Sequence, residues 1–337
     1  MATDITLDRP AAVPTATAPQ RRFPLIDALR GAALAAMASY HTLWDLGYLR
    51  LTAENYAVTP GGRIAAQMIA GSFLVLVGVG LVLMNGRGLR PRPTLLRVAR
   101  IGGAALLVTL GTWIAFPDAY VFFGVLHCIA VASLLGLPFL FLPLPVTALA
   151  AVAVIAAPHV IRAPVLDAPG LYFLGLGSGT PRTNDYVPLF PWFGLVLAGI
   201  VLGRIGVPRF ARSPLGAWTP HAVPGRVAAL AGRHSLAIYL IHQPLLLALL
   251  TGLVTLTGAN PRAGLRAFRA DYVTICTRTG GEPALCHVAA RCTSDALLRE
   301  DLFREDGRPF SGSERLRAQA LSQGCYATLE QAGRTPR

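Results

Sequence analysis

The sequence contains no lysine: all 30 of its basic residues are arginine. Charge is scarce altogether, at 14% of residues against 53% hydrophobic, and the mean hydropathy is +0.52. Soluble domains carry about a quarter charged residues, so this balance excludes an ordinary soluble globular chain and points to the membrane class. The missing lysine is a feature of composition, since no single site explains it. Three catalytic signatures are also missing: G-x-x-x-x-G-K-[ST], H-E-x-x-H and G-x-S-x-G. Their absence removes P-loop phosphate chemistry, zinc-peptidase chemistry and the hydrolase nucleophile elbow. The glycine-rich GLGSGTP at 175–181 reads as an outer loop, because no helix signal follows it. The net charge of +13 is not gathered on a soluble basic domain with stacking aromatics, so no nucleic-acid partner is expected. No repeat of fixed period is evident.

What is present is a series of seven apolar segments, near 25–48, 64–84, 98–116, 121–138, 141–161, 188–206 and 233–256. Each is long enough to cross roughly 30 Å of hydrocarbon. The expected fold is therefore all-α: a polytopic helix bundle of about seven transmembrane helices with the lipid bilayer as its partner. Residues 1–22 read as a disordered N-terminal tail, 23–257 as the transmembrane domain and 258–337 as a separate C-terminal tail. Three prolines in LPFLFLPLPV predict a tight turn between the fourth and fifth segments. The loop at 85–100 holds Arg87, Arg90, Arg92, Arg97 and Arg100 with no acid, and the loop before the last segment holds Arg204, Arg209, Arg212 and Arg226. Positive loops stay cytoplasmic, which places the N-terminus inside and the C-terminus outside.

Cysteine gives an independent check. The membrane portion holds only Cys128, whereas the tail holds Cys276, Cys286, Cys292 and Cys325. Four cysteines in an exported segment predict two disulfides, with three connectivities open. A zinc site using His287 is the rival, but the tail has no C-x-x-C pair and no metal is expected. SDALLREDLFRE at 294–305 reads as a short amphipathic helix.

The first segment carries the most informative polar residues. Asp27 and Arg30 are three apart, His41 and Asp45 four apart, Arg30 and His41 eleven and Asp27 and Asp45 eighteen. On a helix of 3.6 residues per turn these spacings form one stripe. Asp27 and Arg30 lie toward the cytoplasm, His41 and Asp45 toward the outside. A carboxylate one turn from a histidine can fix its tautomer and make it a general base. Arg30 offers a rigid fork of donors for phosphate or carboxylate; a plain ion pair with Asp27 is the simpler account of those two. His127 falls about two turns into the fourth segment, where helix packing is the alternative. Trp192 reads as an interfacial anchor. In GRHSLAIYLIHQP, Arg233 and His234 sit at the inner boundary, and His242 and Gln243 near mid-membrane just before Pro244. Polar groups at that depth line cavities or bond across helices; Tyr239, one turn from His242, can share such a cavity.

LIDALRGAALAAMASYHTLWDL, FGVLHCIAVASLLG, PLFPWFGLVLAGIVLGR and GRHSLAIYLIHQP occur in an order that resembles bacterial membrane proteins of the heparan-alpha-glucosaminide N-acetyltransferase catalytic-domain family. Arg30 and His41 also resemble the arginine–histidine signature on the first helix of broader membrane acyltransferase families. The resemblance covers about 22–256 and implies a multi-pass inner-membrane enzyme of a bacterium, with a periplasmic tail. It would pass an acetyl group from cytoplasmic acetyl-CoA to an acceptor such as an amino sugar or glycan. The resemblance itself bears on Arg30 and His41; taken with the spacing and depth of the other polar residues, the expected site has His41, Asp45 and His127 in catalysis, and Arg30, Arg233, His234 and His242 at the cofactor. In animal members the catalytic histidine lies in the loop after the first helix, and here 47–63 has none. A homo-oligomer is allowed by the sequence. A transporter or flippase without covalent chemistry, and a haem- or quinone-binding membrane protein, are the readings of other classes.

Overall fold

The computed structural model describes residues 23–86, 88–260, 262–303 and 311–334. The N-terminal tail, expected to be disordered at 1–22, lies outside the described residues. Among the described residues the regular structure is helical, with one isolated bridge between Phe123 and Tyr186. The bundle comprises α1 (Pro24–Tyr48), α2 (Pro60–Asn85), α3 (Pro91–Ala115), α4 (Val125–Leu135), α5 (Leu144–Val160), α6 (Leu189–Arg212), α7 (Val223–Arg233) and α8 (Ser235–Thr257). Beyond it come α9 (Leu265–Arg278), α10 (Pro283–Arg299) and α11 (Gly312–Arg334). Proline stands in the first turn of α1, α2, α3, α5, α7 and α10. Its missing N–H costs nothing there and its fixed φ suits the helix.

Among the described residues four helices, α2, α3, α6 and α8, are long and apolar enough to cross a membrane. The seven expected segments therefore do not all become seven equivalent spans. α1 has 25 residues, but Asp27, Arg30 and Asp45 dilute its apolarity. α4 has 11 residues and α5 has 17, or about 17 and 26 Å at 1.5 Å per residue, short of about 30 Å of hydrocarbon. Hydropathy counts apolar residues whether or not they are helical. At 121–124 the apolar chain is extended, and its Phe123 bridges to Tyr186. At the other end the expected turn forms around Pro138, where Arg204 donates to the carbonyls of Phe139 (3.3 Å) and Leu142 (2.5 Å). α7, a short amphipathic helix in what the sequence shows as an arginine-bearing loop, was not anticipated. α3 also begins seven residues earlier than expected, which takes Arg92, Arg97 and Arg100 out of the loop and onto a helix.

The bundle core is centred on α2 and α6. Leu74 and Leu81 face Val196, Leu197 and Ile200, all fully buried. The two backbones approach so closely that a Cβ on Gly78 would meet the Val196 carbonyl, and one on Gly199 the Val75 carbonyl. Small residues permit such an approach between membrane helices. Outward, α3, α5 and α8 expose Leu106, Leu107, Leu149, Leu249 and Leu253, a surface suited to hydrocarbon. The start of α1 meets the end of α6 through the rings of Phe23 and Phe210, 5.3 Å apart, and this end is called the arginine end below.

The last three helices form a disulfide-tied unit. Cys276 bonds to Cys286 and Cys292 to Cys325, which selects one of the three connectivities and leaves no tail sulfur to ligate zinc. The helix expected at 294–305 is the end of α10, which stops at Arg299; residues 304 and 305 lie outside the described set. This unit attaches to the α1–α2 loop. Asn260 N–H donates to Arg50 O (2.8 Å), Gly264 N–H to Ala53 O (3.1 Å), and Arg266 pairs with Glu54 at 2.9 Å.

Candidate active site

A cavity of about 900 Å³ opens among α1, α2, α3, α4, α7 and α8. On α2 its lining runs from Phe73 to Met84, about 16 Å of helix. Arg30, Arg97, Arg100 and Arg233 line it, and Asp27 is the sole carboxylate among its described lining residues. Asp27 is already engaged twice, with Arg30 at 3.4 Å and Arg233 at 3.6 Å. Among the described residues no carboxylate pairs with Arg97 or Arg100. The guanidinium groups of Arg30 and Arg97 flank the same spot: a Cβ on Gly80 would lie 3.0 Å from Arg30 Nη2 and 3.5 Å from Arg97 Nη1. Like charges held this close beside one carboxylate leave a net positive pocket, and guanidinium forks suit phosphate oxygens. The donor set therefore fits a polyanionic ligand.

α1 is held over this cavity by α7. A Cβ on Gly31 would collide with the Ala228 backbone, and one on Gly232 with the Asp27 carbonyl. Gly31 and Gly232 thus permit a close helix contact, and that contact sets Arg233 beside Asp27.

Tyr239 on α8 also lines the cavity, and its ring centroid is 5.6 Å from that of His242. His242 in turn meets His41 edge-on at 5.0 Å. One helical turn further along α1, the fully buried Asp45 accepts a 2.7 Å hydrogen bond from Gln243 Nε2. The arginine cavity is thereby continuous, side chain to side chain, with a polar patch between α1 and α8.

The expected pairing within that patch is corrected. His41 and Asp45 share a face of α1 as their spacing requires, but no hydrogen bond joins them. Asp45 turns to Gln243, 198 residues away in sequence, and His41 packs on His242. Within this patch His242, not His41, is the histidine whose tautomer is fixed. Its Nδ1 lies 2.7 Å from the Tyr239 carbonyl; a carbonyl can only accept, so Nδ1 carries the proton and Nε2 a lone pair. That Nε2 is buried without a partner, as are Asp45 Oδ2 and Gln243 Oε1. Buried polar atoms are seldom left unpaired, and here three acceptor atoms lie along two facing helices.

His127 is differently placed. Gly124 N–H donates to its Nδ1 (3.2 Å). The Thr109 hydroxyl donates to the Val121 carbonyl (2.7 Å) and so receives Nε2–H of His127 at 3.1 Å. Both ring nitrogens are engaged, and the side chain caps α4. His234 is exposed at the corner between α7 and α8 and is not among the cavity lining residues. Asp185, which the sequence shows only as a loop charge, accepts from Val125 N–H at 2.9 Å at the start of α4. Burial holds its carboxyl above the ordinary range, with the Val125 bond pulling the other way, and its charge reaches Tyr40 and Tyr239.

Sequence reasoning missed Arg97 and Arg100 because positive-loop counting treats every arginine between apolar runs as a topology signal. Pro91 and Pro93 were the available clue, since proline marks a helix start and puts Arg97 nearly two turns inside it. A family model described as heparan-alpha-glucosaminide N-acetyltransferase, catalytic, matches residues 22–244, from the edge of α1 to Pro244 on α8. No curated protein and no solved structure gives a match.

Proposed function

From the premise that the chain belongs to the heparan-alpha-glucosaminide N-acetyltransferase catalytic family, a family of membrane transferases, we propose that it carries acetyl from acetyl-CoA to an acceptor across the bilayer. The arginine end takes the coenzyme from the cytoplasm, and the acceptor, an amine on a sugar or glycan, arrives from the other side. The acid-free arginine loops and the disulfide-bonded tail support an orientation with the N-terminus inside and the C-terminus outside in a bacterial inner membrane. In this reading α1, together with α4 and α5 lengthened by the non-helical chain flanking them, at 121–124 before α4 and beyond Val160 after α5, completes seven crossings with the four long apolar helices.

One observation carries the reading: four arginines face a single carboxylate in a cavity whose wall continues through Tyr239 to the His41–His242 pair. Arg30, Arg97, Arg100 and Arg233 would hold the phosphates. Arg30 and His41 are eleven residues apart, about 16 Å along α1, so the arginines bind one end of an extended donor while the histidines meet its acyl end. The test is binding and turnover of radiolabelled acetyl-CoA by the purified full-length chain in lipid nanodiscs. Binding that Arg97→Ala weakens, together with acetyl transfer or slow thioester hydrolysis, is the expected result. An absence of both binding and turnover sinks the proposal.

A further inference from the structure

Building on that acetyl-transfer reading, we infer that His242, not His41, is the general base, and that Asp45 and Gln243 position the acceptor amine beside it. Three atoms carry the argument. His242 Nε2 is a buried lone pair with no donor, because the Tyr239 carbonyl holds the proton on Nδ1. Asp45 Oδ2 is a buried acceptor whose sister oxygen is held by Gln243. Gln243 Oε1 is the third, left open because the amide's Nε2 is turned to Asp45. Donors for all three are absent from the described chain, so they must come from the acceptor or from water. An amine with more than one N–H satisfies several at once; an apolar ligand would leave them stranded at a cost of about 1–3 kcal/mol each.

His41 lacks this preparation. No hydrogen bond fixes its tautomer, and its ring packs edge-on against His242, which makes it a positioning group for the base. In the step, the acceptor nitrogen attacks the thioester carbonyl and a C–N bond forms. His242 Nε2 takes the proton released from nitrogen. The C–S bond breaks, and the thiolate of coenzyme A leaves and takes up that proton, so that amine and acetyl-CoA become amide and free coenzyme A. The charged or titratable groups facing His242 are His41 and Asp45 on α1 and Tyr239 on α8, with Asp185 reaching Tyr239 from the loop at 161–188. Arg97 and Arg100 on α3 and Arg233 on α7 lie in the cavity beyond Tyr239.

The experiment uses the full chain in nanodiscs with acetyl-CoA, taking glucosamine as the amine probe and water, read as thioester hydrolysis, as a second acceptor. Wild-type kcat should rise with pH through one ionisation to a plateau. His242→Gln should lower kcat by about 100- to 10,000-fold and flatten that rise, with a monodisperse size-exclusion peak and retained binding of free coenzyme A, held by the arginines, as proof of folding. His41→Gln should lower kcat by less and keep the rise. Asp45→Asn should raise the KM for glucosamine and leave that for acetyl-CoA alone. Imidazole added to His242→Ala should restore part of the rate. A rise that survives in His242→Gln, or vanishes in His41→Gln, overturns the assignment while leaving the acetyltransferase reading intact. Binding without transfer or hydrolysis also overturns it; failure to bind acetyl-CoA removes the reading beneath it.

Discussion

Between Gly78 and Gly199, α2 and α6 touch through backbone and aliphatic carbon, whereas α10 and α11 are joined by a covalent bond between Cys292 and Cys325. The bundle buries mainly leucine, isoleucine and valine against one another, with Asn85, Thr94, Ser133 and Thr147 buried among them, and gathers charged and histidine side chains in the cavity and the α1–α8 patch. The tail buries mainly alanine and cysteine, with Ala289, Ala290, Ala296 and Leu297 on α10, and carries charge pairs on its surface. In lipid the solvent is as apolar as the side chains, so helices associate by close packing. A small water-exposed unit cannot bury enough carbon to hold itself, and cross-links that restrict its unfolded state make up the difference.

The largest test of this contrast is steric. Gly78→Leu drives a side chain into the Val196 carbonyl, and should cost more than about 3 kcal/mol. Fluorescence-detected size exclusion should show loss of assembled bundle; a normal monodisperse peak would mean that α2 and α6 are not packed this closely. Next comes Cys292→Ser with Cys325→Ser, which opens a loop of 33 residues. The loss should be about 3.7 kcal/mol by loop-closure entropy, confined to the tail. Proteolysis should cut 265–334 quickly while acetyl-CoA binding persists, and simultaneous collapse of both would show that the two regions are not independent.

Arg97→Ala removes one polyanion contact from the cavity, and acetyl-CoA affinity should fall by about 10- to 100-fold at unchanged thermal stability. Unchanged affinity would take Arg97 out of the site. The smallest effects have opposite signs in the two regions. Asp185 has its pKa raised by burial, so its favourable contribution exists only in acid and is lost as pH rises through the folded value. The melting temperature of Asp185→Asn relative to wild type should therefore climb with pH. Glu300, bonded by Arg317 at 2.6 and 2.7 Å, has its pKa lowered. Its contribution is present above the unfolded carboxylate value and is lost as pH falls, so Glu300→Gln should be mildly destabilised at neutral pH and equal to wild type in acid. Two curves of the same slope would contradict these environments.

Much of this architecture was legible from residue patterns. Apolar runs located the helices, and cysteine count separated tail from bundle. Boundaries were less legible where apolar chain is extended, as at 121–124, or where an arginine-bearing stretch is helical, as at 91–100 and 223–233. The stripe of Asp27, Arg30, His41 and Asp45 was read correctly as one face of α1. Its partners were not, because Gln243 and His242 belong to a helix some 200 residues later.

Sequence alone determined which residues share a face, since a helix has a fixed period and any four positions on it have a fixed angular relation. It also pointed to two disulfides in the tail, because four of the five cysteines lie there and only Cys128 lies in the membrane portion. Tertiary packing decided what each face meets: Asp45 with Gln243, His41 with His242, Arg97 with Arg30 across Gly80. It decided as well that one histidine caps a helix while another keeps an unpaired nitrogen. The physical reason is range. Helical periodicity acts over four residues, whereas the surroundings of His242 Nε2 depend on how α1 and α8 fit together.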